Sequence, residues 1–90
     1  VITGTQCAAA RALLRWKQSD LSNAIAQGGG KFSVTALATF ERGGAIRDSN
    51  AQAIQAALEG AGVILIPANG GGAGVRLRDP DTSGAVVEND

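Results

Sequence analysis

Phe32-Ser33-Val34-Thr35-Ala36-Leu37-Ala38-Thr39-Phe40-Glu41-Arg42-Gly43 carries the start, the two faces and the stop of one short helix. Ser33 has a hydroxyl suited to accept from the free N–H groups of a first turn, and Gly43-Gly44 permits the left-handed turn that ends a helix. Between these ends Leu37 and Phe40 are three residues apart and share an inward face, while Val34, Thr35 and Thr39 fall largely outside.

The segments before it read the same way. Thr3-x-x-Gln6 has the form of a capping box, and Cys7, Ala10 and Leu14 recur at helical spacing, which predicts a first helix over about 4–16. Ser19 is a cap for a second helix that buries Leu21, Ala24 and Ile25 and ends at Gly28-Gly29-Gly30. Beyond the quoted stretch, Asp48-Ser49-Asn50 offers N-caps for a fourth helix with an apolar stripe of Ala51, Ile54, Ala57, Leu58 and Ala61, closed by Gly60 and Gly62.

At Val63 the period changes from that of a helix to that of a strand. Val63-Ile64-Leu65-Ile66 is a β-branched run and Val75-Arg76-Leu77-Arg78 alternates, with a glycine-rich connector at 69–74, so a β-hairpin is expected. A lone hairpin is marginal in water. Pairing with a second copy through Val63, Ile64, Leu65, Ile66, Val75 and Leu77 would cover its apolar surface and open edges. The last residues, 79–90, read as an acidic disordered tail with Val86-Val87 as its one apolar patch.

Ninety residues hold one small core and leave little room for a deep catalytic cleft. The single cysteine, Cys7, forms no internal disulfide, no segment reads as a signal peptide or membrane span, and a reducing cytoplasm is the expected location. With no histidine and scattered carboxylates, neither a metal site nor an enzyme is expected, and no cofactor is implied. Gly30-Lys31 lacks the rest of a phosphate-binding loop, and the glycines of 70–74 belong to a turn. The net charge of zero divides unevenly: residues 1–78 hold all eight cationic groups against four acids, a net +4, and residues 79–90 hold the remaining −4. A basic body with an acidic tail fits a nucleic-acid binder.

Three short helices whose last turns small polar side chains outward are also how small helical domains present a helix to the DNA major groove. Arg11, then Gln18 and Leu21, then Ser33-x-x-Ala36-Leu37-x-x-Phe40-Glu41-x-Gly43 resemble the Xre family of helix-turn-helix regulators, the group related to the phage Cro and lambda repressors. The resemblance covers about residues 3–62. It implies a mainly α, four-helix lambda-repressor-like helix-turn-helix body (1–62); the C-terminal β-hairpin (63–78), expected as a dimerisation element, lies outside the usual family pattern. The resemblance further implies a bacterial or phage transcription regulator that binds double-stranded DNA as a homodimer on an approximately palindromic operator.

On that pattern Ser33, Val34, Thr35 and Thr39 are the base-facing residues, and Gln18 opens the second helix and meets the DNA backbone. Lys17, Lys31, Arg42 and Arg47 are candidate phosphate contacts. Arg11 and Glu41 stand where relatives form an ion pair between the first helix and the end of the third. The chain departs from the family in about five extra residues at 26–30, which lengthen the turn into a flexible glycine loop. The alternative reading is a protein-interaction module of the antitoxin or anti-activator type, binding a second regulatory protein through the hairpin.

Overall fold

A computed structural model describes residues 2–68 and 70–79. Among them are helices α1 (Gly4–Leu14), α2 (Gln18–Gln27), α3 (Val34–Glu41) and α4 (Asp48–Gly60), followed by strands β1 (Val63–Ile66) and β2 (Gly74–Leu77) in one antiparallel sheet. The protein is therefore mainly α with a C-terminal β-hairpin. The acidic tail expected at 79–90, with Val86-Val87, lies outside the described residues apart from Asp79, whose carboxylate is 3.9 Å from the Arg78 guanidinium.

Helix ends follow local chemistry, with three departures from expectation. The Thr3 hydroxyl accepts from the Gln6 N–H and the Gln6 side chain accepts from the Thr3 N–H, which completes the capping box. Helix α1 stops at Leu14 and not at Trp16, because Arg15 turns left-handed at φ 59° and lets Trp16 fold back against the core. Helix α2 begins at Gln18 without using Ser19 as its cap; the Asp20 carboxylate instead reaches back to the Lys17 N–H at 2.8 Å. Helix α4 begins at Asp48, so Asp48, Ser49 and Asn50 form its first turn, where the Asp48 charge complements the positive helix end.

The core is built where these helices meet. Leu21, Leu37, Ile54, Leu58 and Cys7 are fully buried, with Phe40, Ile25 and Ala10 beside them. Gly4 allows the closest backbone approach: a Cβ there would collide with the Phe40 carbonyl, so only glycine lets the start of α1 lie against the end of α3.

The hairpin belongs to this same core, contrary to the expectation of a separate dimerisation element. Its register pairs Val63 with Leu77 and Leu65 with Val75, and the two-residue period puts all four on one face. Val63 is buried, and Leu65, Val75 and Leu77 pack against the helical core. Val63 is therefore closed to a partner, contrary to its expected place in a dimer interface, while the half-buried Leu65, Val75 and Leu77 turn most of their apolar surface toward the protein's own core beside α1 and α4. Ile64 and Ile66, opposite Arg76 and Gly74, remain on the outer face. Gln6, itself buried, clamps the mouth of the hairpin by donating to the carbonyls of Ile66 (3.1 Å) and Gly74 (2.9 Å).

Two substitutions at the ends of α1 should move stability in opposite directions in a thermal melt. Gly4→Ala should destabilise by about 1–3 kcal/mol through overpacking. Arg15→Gly should stabilise by up to about 1 kcal/mol, since glycine carries no penalty in the left-handed conformation.

Candidate nucleic-acid interface

Helix α3 presents one open face. The Ser33 hydroxyl accepts from the Ala36 N–H at 3.1 Å and caps its start. At the other end the Gly43 N–H bonds to the Phe40 carbonyl (2.9 Å) and the Gly44 N–H to the Thr39 carbonyl (2.9 Å), a Schellman ending made possible by Gly43 at φ 100°. Leu37 and Phe40 fill the inner face. Thr35, Ala38 and Arg42 form the centre of the outward stripe, with Val34 and Thr39 at its margins; Val34 is 40 % exposed.

The orientation of α3 is set by one carboxylate. Glu41, with a side chain only 7 % exposed, accepts from Arg11 Nη2 on Oε1 (2.6 Å) and from Arg11 Nε on Oε2 (2.7 Å), a bidentate charge-assisted pair. Gln18 Nε2 donates to Oε1 at 3.1 Å, and the Cys7 thiol donates to Oε2 at 3.2 Å. Arg11 Nη1 also donates to the Trp16 carbonyl, which ties the turn after α1 to the same cluster. Helices α1, α2 and α3 thus converge on Glu41.

Its protonation follows from these contacts. Burial pushes the Glu41 carboxyl up, but the hydrogen bonds from Arg11, Gln18 and Cys7 outweigh it and hold the group below the usual carboxylate range. The hydrogen bond to Glu41 raises Arg11 above its ordinary value despite burial. Burial, and then the neighbouring Glu41, push the Cys7 thiol up to about 12, so it stays protonated at neutral pH and acts as a donor, not a nucleophile.

The glycine-rich connection between α2 and α3 is tied down, not loose. Two of the extra residues, Ala26 and Gln27, extend α2. The Gly29 N–H then bonds to the Ala26 carbonyl and the Gly30 N–H to the Ile25 carbonyl, each at 3.0 Å, which folds the glycines back onto the helix. Ser22 Oγ donates to the Phe32 carbonyl at 2.6 Å and fixes the approach to α3. Residues 28–33 still make a longer connection than the three- or four-residue turn of a compact helix-turn-helix.

The proposed contact residues divide by setting. Ser33, Val34, Thr35, Thr39 and Arg42 lie together on or at the ends of α3, and all are exposed. Lys17 is exposed at the start of α2, Lys31 in the connection just before Ser33, and Arg47 just before α4. Gln18 is half-buried, and its amide is shared with Glu41, leaving its second N–H for another acceptor.

Thr39 is exposed but has an intramolecular engagement of its own. Its hydroxyl donates to the Thr35 carbonyl at 3.1 Å and its methyl faces Gly44, where a Cβ would come within 2.7 Å, so the side chain turns back along the helix. Gln6 as hairpin clamp and Cys7 as a donor to Glu41 were not legible in the sequence, since their partners are 60, 68 and 34 residues away.

Other features of the surface carry less chemistry. A groove of about 440 Å³ beside α2 and α4 is lined by Trp16, Ala24, Ile25, Ala53 and Ala57, with Gln27 as its one polar side chain. No group of His, Cys, Asp and Glu among the described residues could hold a metal ion, and no described helix is long and apolar enough to cross a membrane. Comparison with models of protein families, with curated proteins and with solved structures gave no match.

Removing one partner of the Arg11–Glu41 pair strands a poorly solvated charge. Arg11→Ala should therefore cost about 3 kcal/mol in chemical denaturation. Because the folded carboxyl titrates below the unfolded one, its stabilising effect is complete above the unfolded pKa of about 4.3 and is lost as pH falls through the lower folded value. The stability gap between the parent and Glu41→Gln should be widest near neutral pH and narrow below about pH 4.

Proposed function

We propose that this chain is a sequence-specific double-stranded DNA-binding transcription regulator of the Xre type, acting in the cytoplasm as a homodimer on an approximately palindromic operator. The observation that supports it most is the α3 face, which is exposed, free of acidic side chains and held at a set angle by the Glu41 cluster. A helix entering the major groove by its N-terminal end would bring Ser33, Val34 and Thr35 to the base edges. Arg42, eight residues beyond Val34 and about 12 Å along the axis at 1.5 Å per residue, would then reach a phosphate. Lys17, Lys31, Arg47 and the second N–H of Gln18 supply further backbone contacts, which give affinity without sequence information.

Two copies would place two α3 helices in successive major grooves about one helical turn apart. The outer hairpin face offers a surface for self-association: Ile66 is 39 % exposed and Ile64 lies beside it on the same side. The same face would serve a regulatory protein partner if DNA were not the ligand. Neither catalysis nor a cofactor forms part of this reading.

Selection from a random duplex library followed by sequencing tests the proposal. A dyad-symmetric motif is the expected product, and no enrichment at low salt would shift the reading to the protein-interaction module. Arg42→Ala should weaken binding to all sequences alike and lower the slope of log affinity against log salt by about 1. Ile66→Asp should leave a folded protein that sediments as a monomer; a variant that remains dimeric would place the interface elsewhere.

A further inference from the structure

On the DNA-binding reading, we propose that α3 recognises its operator chiefly through the 5-methyl groups of thymine, so that the ligand is a half-site carrying thymines in the major groove. From Val34 to Glu41 no outward side chain can make a bidentate base contact; Glu41 is turned inward onto Arg11, and Arg42, beyond the end of the helix, is the phosphate contact of the reading above. The Thr39 hydroxyl donates its proton to the Thr35 carbonyl, which leaves it as an acceptor only. The face therefore offers Val34, which is the exposed large apolar residue of the helix, the methyls of Thr35 and Ala38, and the hydroxyl donors of Ser33 and Thr35.

In the major groove adenine, guanine and cytosine present donors and acceptors, whereas thymine adds a methyl group. Seating Val34 against a G·C edge would strip water from N7, O6 or N4 without replacing its hydrogen bonds. Seating it against a thymine methyl buries apolar surface on both sides. Small residues at 36 and 38 keep the helix slim enough for that approach, and a single hydroxyl bond from Ser33 or Thr35 can fix the register beside it.

The test uses the full chain and the duplex recovered by selection from a random library, synthesised once with thymine and once with deoxyuridine at every T. Uracil keeps the Watson–Crick pairing and removes the methyl. Each contacted methyl should be worth about fourfold in affinity, so full replacement should weaken binding by about tenfold or more. Val34→Ser, at an exposed position that leaves the core intact, should lose most of that discrimination while keeping the parent's salt dependence.

Equal affinity for the two duplexes would overturn the proposal and leave DNA binding standing. Discrimination that survives unchanged in Val34→Ser would overturn the role of that face. Failure to recover or bind any duplex at low salt would overturn both this proposal and the reading on which it rests.

Discussion

The Glu41 carboxylate is the constraint on which the rest of the architecture depends. It ends the third helix yet accepts hydrogen bonds from Arg11 and Cys7 of the first helix and from Gln18 of the second. A buried acid is costly alone and tolerable when its lone pairs are filled, so the three helices have one arrangement in which the charge is compensated. Gly4 adds a steric condition at the same junction, because only a residue without Cβ lets the start of α1 meet the Phe40 carbonyl. Polar pairing and close backbone contact thereby select the same angle for α3, and leave its outer face clear.

A second junction fixes the other end of the molecule. Gln6 caps the first turn of α1 through its carbonyl oxygen and uses its amide nitrogen to hold two hairpin carbonyls. That single side chain links the start of the helical body to strand residues 60 and 68 positions later. The apolar face of the hairpin then completes the core through Val63, Leu65, Val75 and Leu77. In a chain with few aromatic residues this added burial supplies surface that alanine-rich helices lack. The consequence for assembly is a smaller outer face, formed around Ile64 and Ile66, than an isolated hairpin would offer.

The candidate interface combines side chains of two kinds. Val34, Thr35 and Arg42 are presented to solvent with little intramolecular engagement, whereas Gln18 and Thr39 have a donor already committed within the protein. Exposure alone therefore overstates the number of groups free to bind. The glycine connection shows the converse: a stretch whose composition suggests mobility is closed onto α2 by backbone bonds and by the Ser22 contact to Phe32. Two of its additional residues lengthen a helix instead of loosening a turn.

How much was legible depended on the range of the forces involved. Ser33 as a cap, the inward Leu37 and Phe40, the glycine stop after α3, the β-branched first strand and the alternating second are local consequences of dihedral preference and hydrophobic period, and the chain alone determined them. The contact residues on α3 could be named because helical spacing assigns a face, and the Arg11–Glu41 pair could be named only through resemblance. The left-handed turn at Arg15, the inward-facing hairpin, the Gln6 clamp and the committed hydroxyl of Thr39 were decided by tertiary structure. Each depends on which groups meet in space, where burial makes an unpaired polar atom costly and an apolar face worth covering, and neither condition is written in the spacing of residues along the chain.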